Sequence, residues 1–586
     1  FDAPHYFRRL GKGQFRKAPE EIVKAALLGI ERKKQLAAQI DAWAAELVSG
    51  QCPAPVREQL YRILFKPDKN APEYKAVVEA AKRAQRAPLD LLTAAGAIDS
   101  PYQFHWQRFL FEQFPKGTAF PPLAAPAIKD TLPQAAGVQA FSIDDSATTE
   151  IDDALSVQGL GSGTVVLGVH IAAPALAITP QSPLDHLARS RLSTVYMPGW
   201  KLTMLPDQVV QAYTLIEGND CPAVSLYASI DEATLEIRST ETRLERVRIA
   251  ANLRHDKLDA VVTAATLSGE APADYPFATE LAFLVRLAQA LKARREVVRG
   301  QPENFNRPDY TFRLEGNDGQ EPAGHERVSI GERRRGAPLD LIVAECMILA
   351  NNTWGGWLNE LGVPGIYRCQ ASLAPGVKVR MMTRAMPHAG IGVAHYTWAT
   401  SPLRRYVDLV NQWQIIACAR HGRTAALAAP FKPRDAEMFS IISAFDAAYA
   451  AYNQFQGGIE RYWTLRWLEQ QGVQELDAAV MKDGLVRAET LPLVMQAVGA
   501  ERLPRGARVR VRIARTDPLT LEAHGNVTAR LDDPAAATTE PRVEDDDLEP
   551  AAAPLALAID LQDADDAAGS PEPSSSAPPP VDQVAS

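Results

Sequence analysis

The sequence predicts a multidomain α+β protein, and three observations carry that expectation. Apolar residues recur at helical spacing over residues 20–47. Thr164–Ile171 is a short, β-branched-rich apolar run, as in a buried strand. Arg508–Ile513 alternates arginine with valine or isoleucine, the two-residue period of a half-buried strand. With 586 residues the chain has room for several domains. We therefore expect a helical N-terminal domain over 1–125 and a mixed α/β domain over 126–470. A small OB-type β-barrel over 475–530 and a disordered acidic tail over 531–586 complete the expected order.

In the first segment, Ala18-Pro19-Glu20-Glu21 opens a long amphipathic helix running through Ala26, Leu27, Leu28, Ile30, Leu36, Ile40, Trp43 and Leu47. Shorter helices are expected near 54–65, 72–85 and 88–96, the last stopped by Gly96. Short helices with tight turns suit a helix-turn-helix-like or winged-helix bundle. Such a bundle either faces nucleic acid or is plainly structural. In the second segment, 338–361 and 402–420 read as buried helices. In the third, Arg508, Arg510 and Arg512 share one strand face and Val509, Val511 and Ile513 the other. The tail is rich in Ala, Pro, Ser and Asp and cannot bury a core.

Bulk composition narrows the class. An apolar fraction of 46% and a charged fraction of 23% are those of a globular protein, and no apolar run reaches membrane-spanning length. Cys52, Cys221, Cys346, Cys369 and Cys418 are scattered without a Cys-x-x-Cys pair, which argues against disulfides or zinc and for a cytoplasmic protein. The chain opens with Phe1 rather than Met, as a trimmed or partial product would. The net charge of −9 is unevenly spread: residues 532–586 hold 14 acidic residues and one arginine, so the body is mildly basic and compatible with a polyanionic ligand.

The segment richest in chemistry is Asp144–Asp153, where Asp144, Asp145, Glu150, Asp152 and Asp153 lie among Ile143, Ile151, Ala154, Leu155 and Val157. If it is extended, Asp144, Glu150 and Asp152 face one side, and Asp153 joins them only if the chain turns. Carboxylates this close repel unless a hard cation sits among them. Such clusters hold Mg²⁺ or Mn²⁺ for in-line displacement at phosphorus. The simpler reading is an acidic turn that binds nothing.

Thr400-Ser401-Pro402-Leu403-Arg404-Arg405-Tyr406 is the second informative segment. Ser401 suits a helix N-cap and Pro402 a first helical residue, which would put Arg404 in the first turn, beside a ready phosphate site. Taken alone, an Arg404–Asp408 pair on a solvated helix face is the simpler reading. In Arg191–Pro206, Tyr196 is either a core residue or a platform for a base. His170 and His395 lack partners at ligand spacing.

Together and in this order, these segments resemble the RNB catalytic domain of the ribonuclease II family over roughly 138–470. The resemblance is carried by Ile143-Asp144…Glu150-Ile-Asp152-Asp153-Ala-Leu, Val169-His-Ile-Ala172 and Arg191…Tyr196-Met-Pro…Met204-Leu-Pro206. It continues through Arg307-Pro-Asp-Tyr310, Glu345-Cys-Met-Ile…Asn351 and Tyr396-Thr-Trp-Ala-Thr-Ser-Pro-Leu-Arg404-Arg-Tyr406. It implies a processive, hydrolytic 3′→5′ exoribonuclease that degrades single-stranded RNA to nucleoside 5′-monophosphates by a two-metal mechanism.

By that resemblance Asp144, Glu150, Asp152 and Asp153 hold Mg²⁺, with Mn²⁺ as the alternative. Arg404 stabilises the transition state, and Tyr196 with Phe305 clamps the 3′-terminal base. The C-terminal barrel sits where the family carries an S1 domain, which makes Arg508, Arg510 and Arg512 candidates for RNA binding. The expected partner is single-stranded RNA, with no membrane, no small-molecule cofactor and a monomeric chain.

Several positions depart from the family's pattern. Glu150 and Ala173 stand where Asp is usual, Ala344 precedes Glu345 in place of a second glutamate, and a late glutamate falls at Gln456, near Glu460. The first 125 residues lack the strand alternation of cold-shock domains. The rival reading is a catalytically silent RNA-binding protein. The three aspartates and Arg404 all stand, which favours the enzyme. A DNA nuclease or general phosphodiesterase would leave the S1-like module without a purpose.

Overall fold

The computed structural model describes all residues except 1–5, 12–13, 304–307, 318, 334–335, 375, 533–556 and 560–586. Nearly all of the expected acidic tail, and Phe305, thus lie outside the described residues. The chain forms two compact units. Of the described residues, one unit holds those in 6–115, 515–522 and 557–559, the other those in 116–514 and 523–532.

The first unit is helical, with a two-stranded antiparallel hairpin, Phe7–Gly11 with Gln14–Lys17, ahead of the helices. Sequence alone gave no sign of that pairing. Helix Glu20–Val48 opens after Pro19 with Glu20 and Glu21 at its positive end. Only Ala44 and Leu47 of this helix are buried, while Ile22, Leu27, Leu28, Ile30 and Leu36 are 38–53% exposed. Length explains the departure from the amphipathic expectation. A 29-residue helix is about 44 Å long at 1.5 Å per residue. Its partner Pro72–Ala84 has 13 residues and covers less than half of that. The expected helix at 54–65 is two, Ala54–Glu58 and Leu60–Phe65, broken at Gln59. Ser100 caps Pro101–Gln113 by accepting from the Gln103 N–H at 3.1 Å.

The second unit is organised around a closed five-stranded barrel: Ala140–Asp144, Asp153–Gln158, Thr164–Ala172, Asp220–Asp231 and Ile237–Arg254, in that order. The first strand closes it by running parallel to the last, with Asp144 opposite Arg254. Thr164–Ala172 is the buried strand its composition predicts. His170 is buried there with its ring nitrogens 2.8 Å from Ser156 Oγ and Ser225 Oγ, and burial lowers its pKa to about 3. It is a packed, neutral core group.

Helices Ala278–Arg299, Pro338–Glu360, Tyr406–His421 and Ala436–Gln471 complete this region. Tyr406–Cys418 is buried on every side. Its amide side chains are satisfied by backbone: Asn411 by Ile366, Gln412 by Ala172 and Ala175, Gln414 by Pro364 and Phe431.

A second closed barrel follows, ordered Glu475–Val480, Leu485–Ala488, Val494–Val498, Glu522–Arg530, Arg508–Asp517, as expected of an OB-type module. Val509 and Val511 are buried and Arg508, Arg510 and Arg512 exposed, so the period-two reading holds residue by residue. Among the described residues no helix is long and apolar enough to cross a membrane.

Candidate active site

The acidic decad is not one extended strand. The first barrel strand ends at Asp144 and the second restarts at Asp153, so the segment between them is a loop held at one barrel end. The carboxylates are therefore gathered by strand closure rather than by side-chain parity. Glu150 and Asp152 are almost fully buried.

Arg404 reaches this loop from 252 residues away. Its Nε donates to Asp152 Oδ2 at 3.0 Å, and the adjacent Leu403 N–H donates to Asp152 Oδ1 at 2.9 Å. The expected N-cap at Ser401 is not formed. Helix Tyr406–His421 starts five residues later, because the 401–405 backbone has other partners. Ser401 N–H donates to Asp408 Oδ1, Leu403 N–H to Asp152, and the Arg404 carbonyl accepts from Thr194 N–H at 2.9 Å. Arg404 thus precedes the helix instead of lying in its first turn. The partner of Asp408 is Arg405, through two bonds of 2.8 Å, and not Arg404.

The contact between residues 192–194 and 404–406 also fixes the neighbouring hairpin Val195–Met197/Trp200–Leu202. Tyr196 stands on it, 38% exposed and close enough to Arg404 to feel its charge. Directly across the hairpin is Lys201. Its ammonium donates to Thr149 Oγ1 at 2.7 Å and pairs with Glu150 Oε2. Glu150 Oε1 accepts from Thr194 Oγ1 at 3.2 Å. Sequence reasoning assigned Lys201 and Thr194 no role, since only the hairpin register shows what they face.

The electrostatics divide the quartet. Burial raises the Asp152 pKa to about 7, opposed by Arg404 and the Leu403 N–H. Burial and then the negative charge of Asp144 raise Asp153 to about 8, and burial also raises Asp144. Burial alone would lower the Arg404 pKa, but Asp152, Tyr196 and Asp153 together hold it above its ordinary value. Asp144 Oδ2 is buried with no hydrogen-bond partner. A buried, orphaned carboxylate oxygen beside a second uncompensated carboxylate suits a divalent cation. Among the described residues, the three donors that all lie within 4.8 Å of one another are not from the quartet. They are Asp145, His255 and Asp256, next to it.

The central region, residues 135–379 and 377–421, matches the RNB domain family. That region, residues 135–421, belongs to the RNB domain family. It is 27% identical over 416 residues to an uncharacterized ribonuclease of Synechocystis, covering 65% of this chain and 58% of that protein. It is 30% identical over 324 residues to exoribonuclease 2 of Vibrio vulnificus, covering 46% and 47%. The chain thus spans about half the length of the curated relatives it matches.

Two solved structures share the fold. The Dss1 exoribonuclease of Candida glabrata, an active-site mutant, aligns with TM-score 0.60 at 19% identity, over 86% of this chain and 69% of that one. RNase R of Mycoplasma genitalium bound to ribose-methylated single-stranded RNA aligns with TM-score 0.56 at 15% identity, over 68% and 72%.

Other positions singled out in the RNB region lie elsewhere. Glu345 is buried and ion-paired with Arg295, which also holds Glu303. Gln456 donates to Glu460 at 2.9 Å. Ala173 is fully buried in the apolar core. In the C-terminal barrel each exposed arginine is matched by a carboxylate: Arg508 with Glu489, Arg510 with Asp477 and Arg512 with Glu475, at 2.6 to 3.0 Å.

Proposed function

We propose that this RNB-domain chain is a divalent-metal-dependent exoribonuclease that hydrolyses single-stranded RNA processively from its 3′ end. The observation that carries the reading is the meeting of Arg404 with Asp152, beside the uncompensated Asp144–Asp153 pair and a half-exposed Tyr196. Asp144 and Asp153 are the residues that would hold Mg²⁺ or Mn²⁺. When bound, the ion supplies Lewis acidity toward a phosphoryl group and its attacking water.

Asp152 orients Arg404 through its Nε, and the guanidinium, 40% exposed, is free on its outer side to neutralise charge building on the phosphoryl oxygens. Water adds to phosphorus, the bond to the 3′ oxygen of the preceding nucleotide breaks, and a nucleoside 5′-monophosphate leaves. Tyr196 offers its ring to the terminal base. Incubation with 5′-labelled single-stranded RNA and Mg²⁺ tests this. Progressive shortening of RNA with a free 3′ end, but not of circular RNA, is the expected outcome. Binding without release of mononucleotide under Mg²⁺ or Mn²⁺ would instead establish a silent RNA-binding protein.

Two further results are expected. Tyr196→Ala should weaken RNA binding by about 1–3 kcal/mol, the worth of one stacked base, while Tyr196→Trp keeps it. Equilibrium binding to a short oligonucleotide reads both. On the barrel strip, Arg508, Arg510 and Arg512 are proposed to follow the RNA backbone although each now has a carboxylate partner. Replacing Glu475, Asp477 and Glu489 by their amides should free the strip, tighten binding at low salt and steepen the dependence on salt by about 0.7 per added phosphate contact. An unchanged slope would mean that the strip does not face RNA.

A further inference from the structure

The four carboxylates of the site differ in what already compensates them. Both oxygens of Asp152 accept from the chain, from Leu403 and Arg404. Both oxygens of Glu150 are likewise taken, by Thr194 Oγ1 and the Lys201 ammonium. The Glu150 side chain is 2% exposed and that of Lys201 27%, so this ion pair lies largely out of water, where an ammonium and a carboxylate interact strongly. Asp144 and Asp153 have no such cation of their own. Against the quartet, Lys201 and Arg404 leave a charge that one divalent ion balances, and a second ion would find no carboxylate of the four still free of a cation. A second ion could use Glu150 only by expelling Lys201.

We propose that Lys201 takes the place of a second metal ion in this site. Its ammonium neutralises Glu150 permanently, so the carboxylate cluster binds one divalent cation rather than two. The longer glutamate, standing where the family usually has Asp, reaches this ammonium, and the pair works as a unit. Because Lys201 faces Tyr196 across the hairpin, the same contact ties the base platform to the carboxylate floor. Lys201 is in this sense a positioning residue. The inference rests on the metal-dependent reading above, and the counting of ions separates the two.

Mn²⁺ is titrated into the full chain without RNA and free ion is read by electron paramagnetic resonance. All variants carry Asp256→Asn, so that the neighbouring Asp145–His255–Asp256 group adds no count. One bound ion is expected with Lys201 intact and one with Lys201→Arg, rising to two with Lys201→Met. Glu150→Gln added to Lys201→Met should return the count to one. Two ions bound with Lys201 intact would overturn the inference and leave the metal-dependent reading standing, as would a count of one in a folded Lys201→Met protein. No bound ion at all would overturn both. The count with Lys201 intact decides even if Lys201→Met fails to fold.

Discussion

Asp153→Asn is expected to reduce RNA hydrolysis by about 10³-fold or more while leaving RNA affinity within a few-fold. The side chain would lose the charge that faces the metal but keep its shape, and transition-state charge stabilisation at such a site is worth several kcal/mol. The same substitution should raise the stability of the metal-free protein. Asp153 has a folded pKa of about 8 against an ordinary 3.8. Between those values the native state binds more protons than the unfolded one, so stability falls as pH rises through that window. Asparagine removes this penalty. Thermal melts in EDTA should show the variant more stable at pH 8, with the difference vanishing near pH 4. A variant no more stable at pH 8 would show that Asp153 is not held uncompensated.

The largest expected effect on folding lies away from the catalytic residues. Arg295→Met should cost about 3–5 kcal/mol, read by denaturant unfolding, because Glu345, itself 2% exposed, would be left as a buried charge without its cation. Adding Glu345→Met should recover most of that loss, since replacing both members of a buried pair by apolar side chains of similar size is close to neutral. Failure of the double variant to recover would mean that Arg295 acts mainly through Glu303 and the Ile391 carbonyl, its other partners.

Much of this was legible in the sequence, for reasons that differ from element to element. The arginine–valine alternation at 508–513 encodes both faces of its strand, because period two is local information. The acidic decad was recognisable because so many carboxylates among apolar residues demand compensation. What compensates them was not legible. Arg404 and Lys201 reach the decad from 252 and 51 residues away, through barrel closure and a hairpin register that no local pattern records. The helix start at Tyr406 was misplaced for the same reason: Pro402 is a good first helical residue, but distant groups claim the backbone around it. The exposed apolar stripe of Glu20–Val48 shows the converse limit, since periodicity states which face is apolar and not how much of it a shorter partner covers.

The central claim is that one carboxylate pair, one guanidinium and one aromatic ring converge on the 3′ end of an RNA strand. A crystal of the unaltered protein soaked with Mn²⁺ and a short single-stranded RNA whose terminal linkage is non-hydrolysable tests it most directly, through the anomalous signal of the ion. The account predicts a peak between Asp144 and Asp153, with the terminal base against Tyr196 and the last phosphate beside Arg404. A peak confined to Asp145, His255 and Asp256, or an RNA 3′ end lying away from Tyr196, would contradict it.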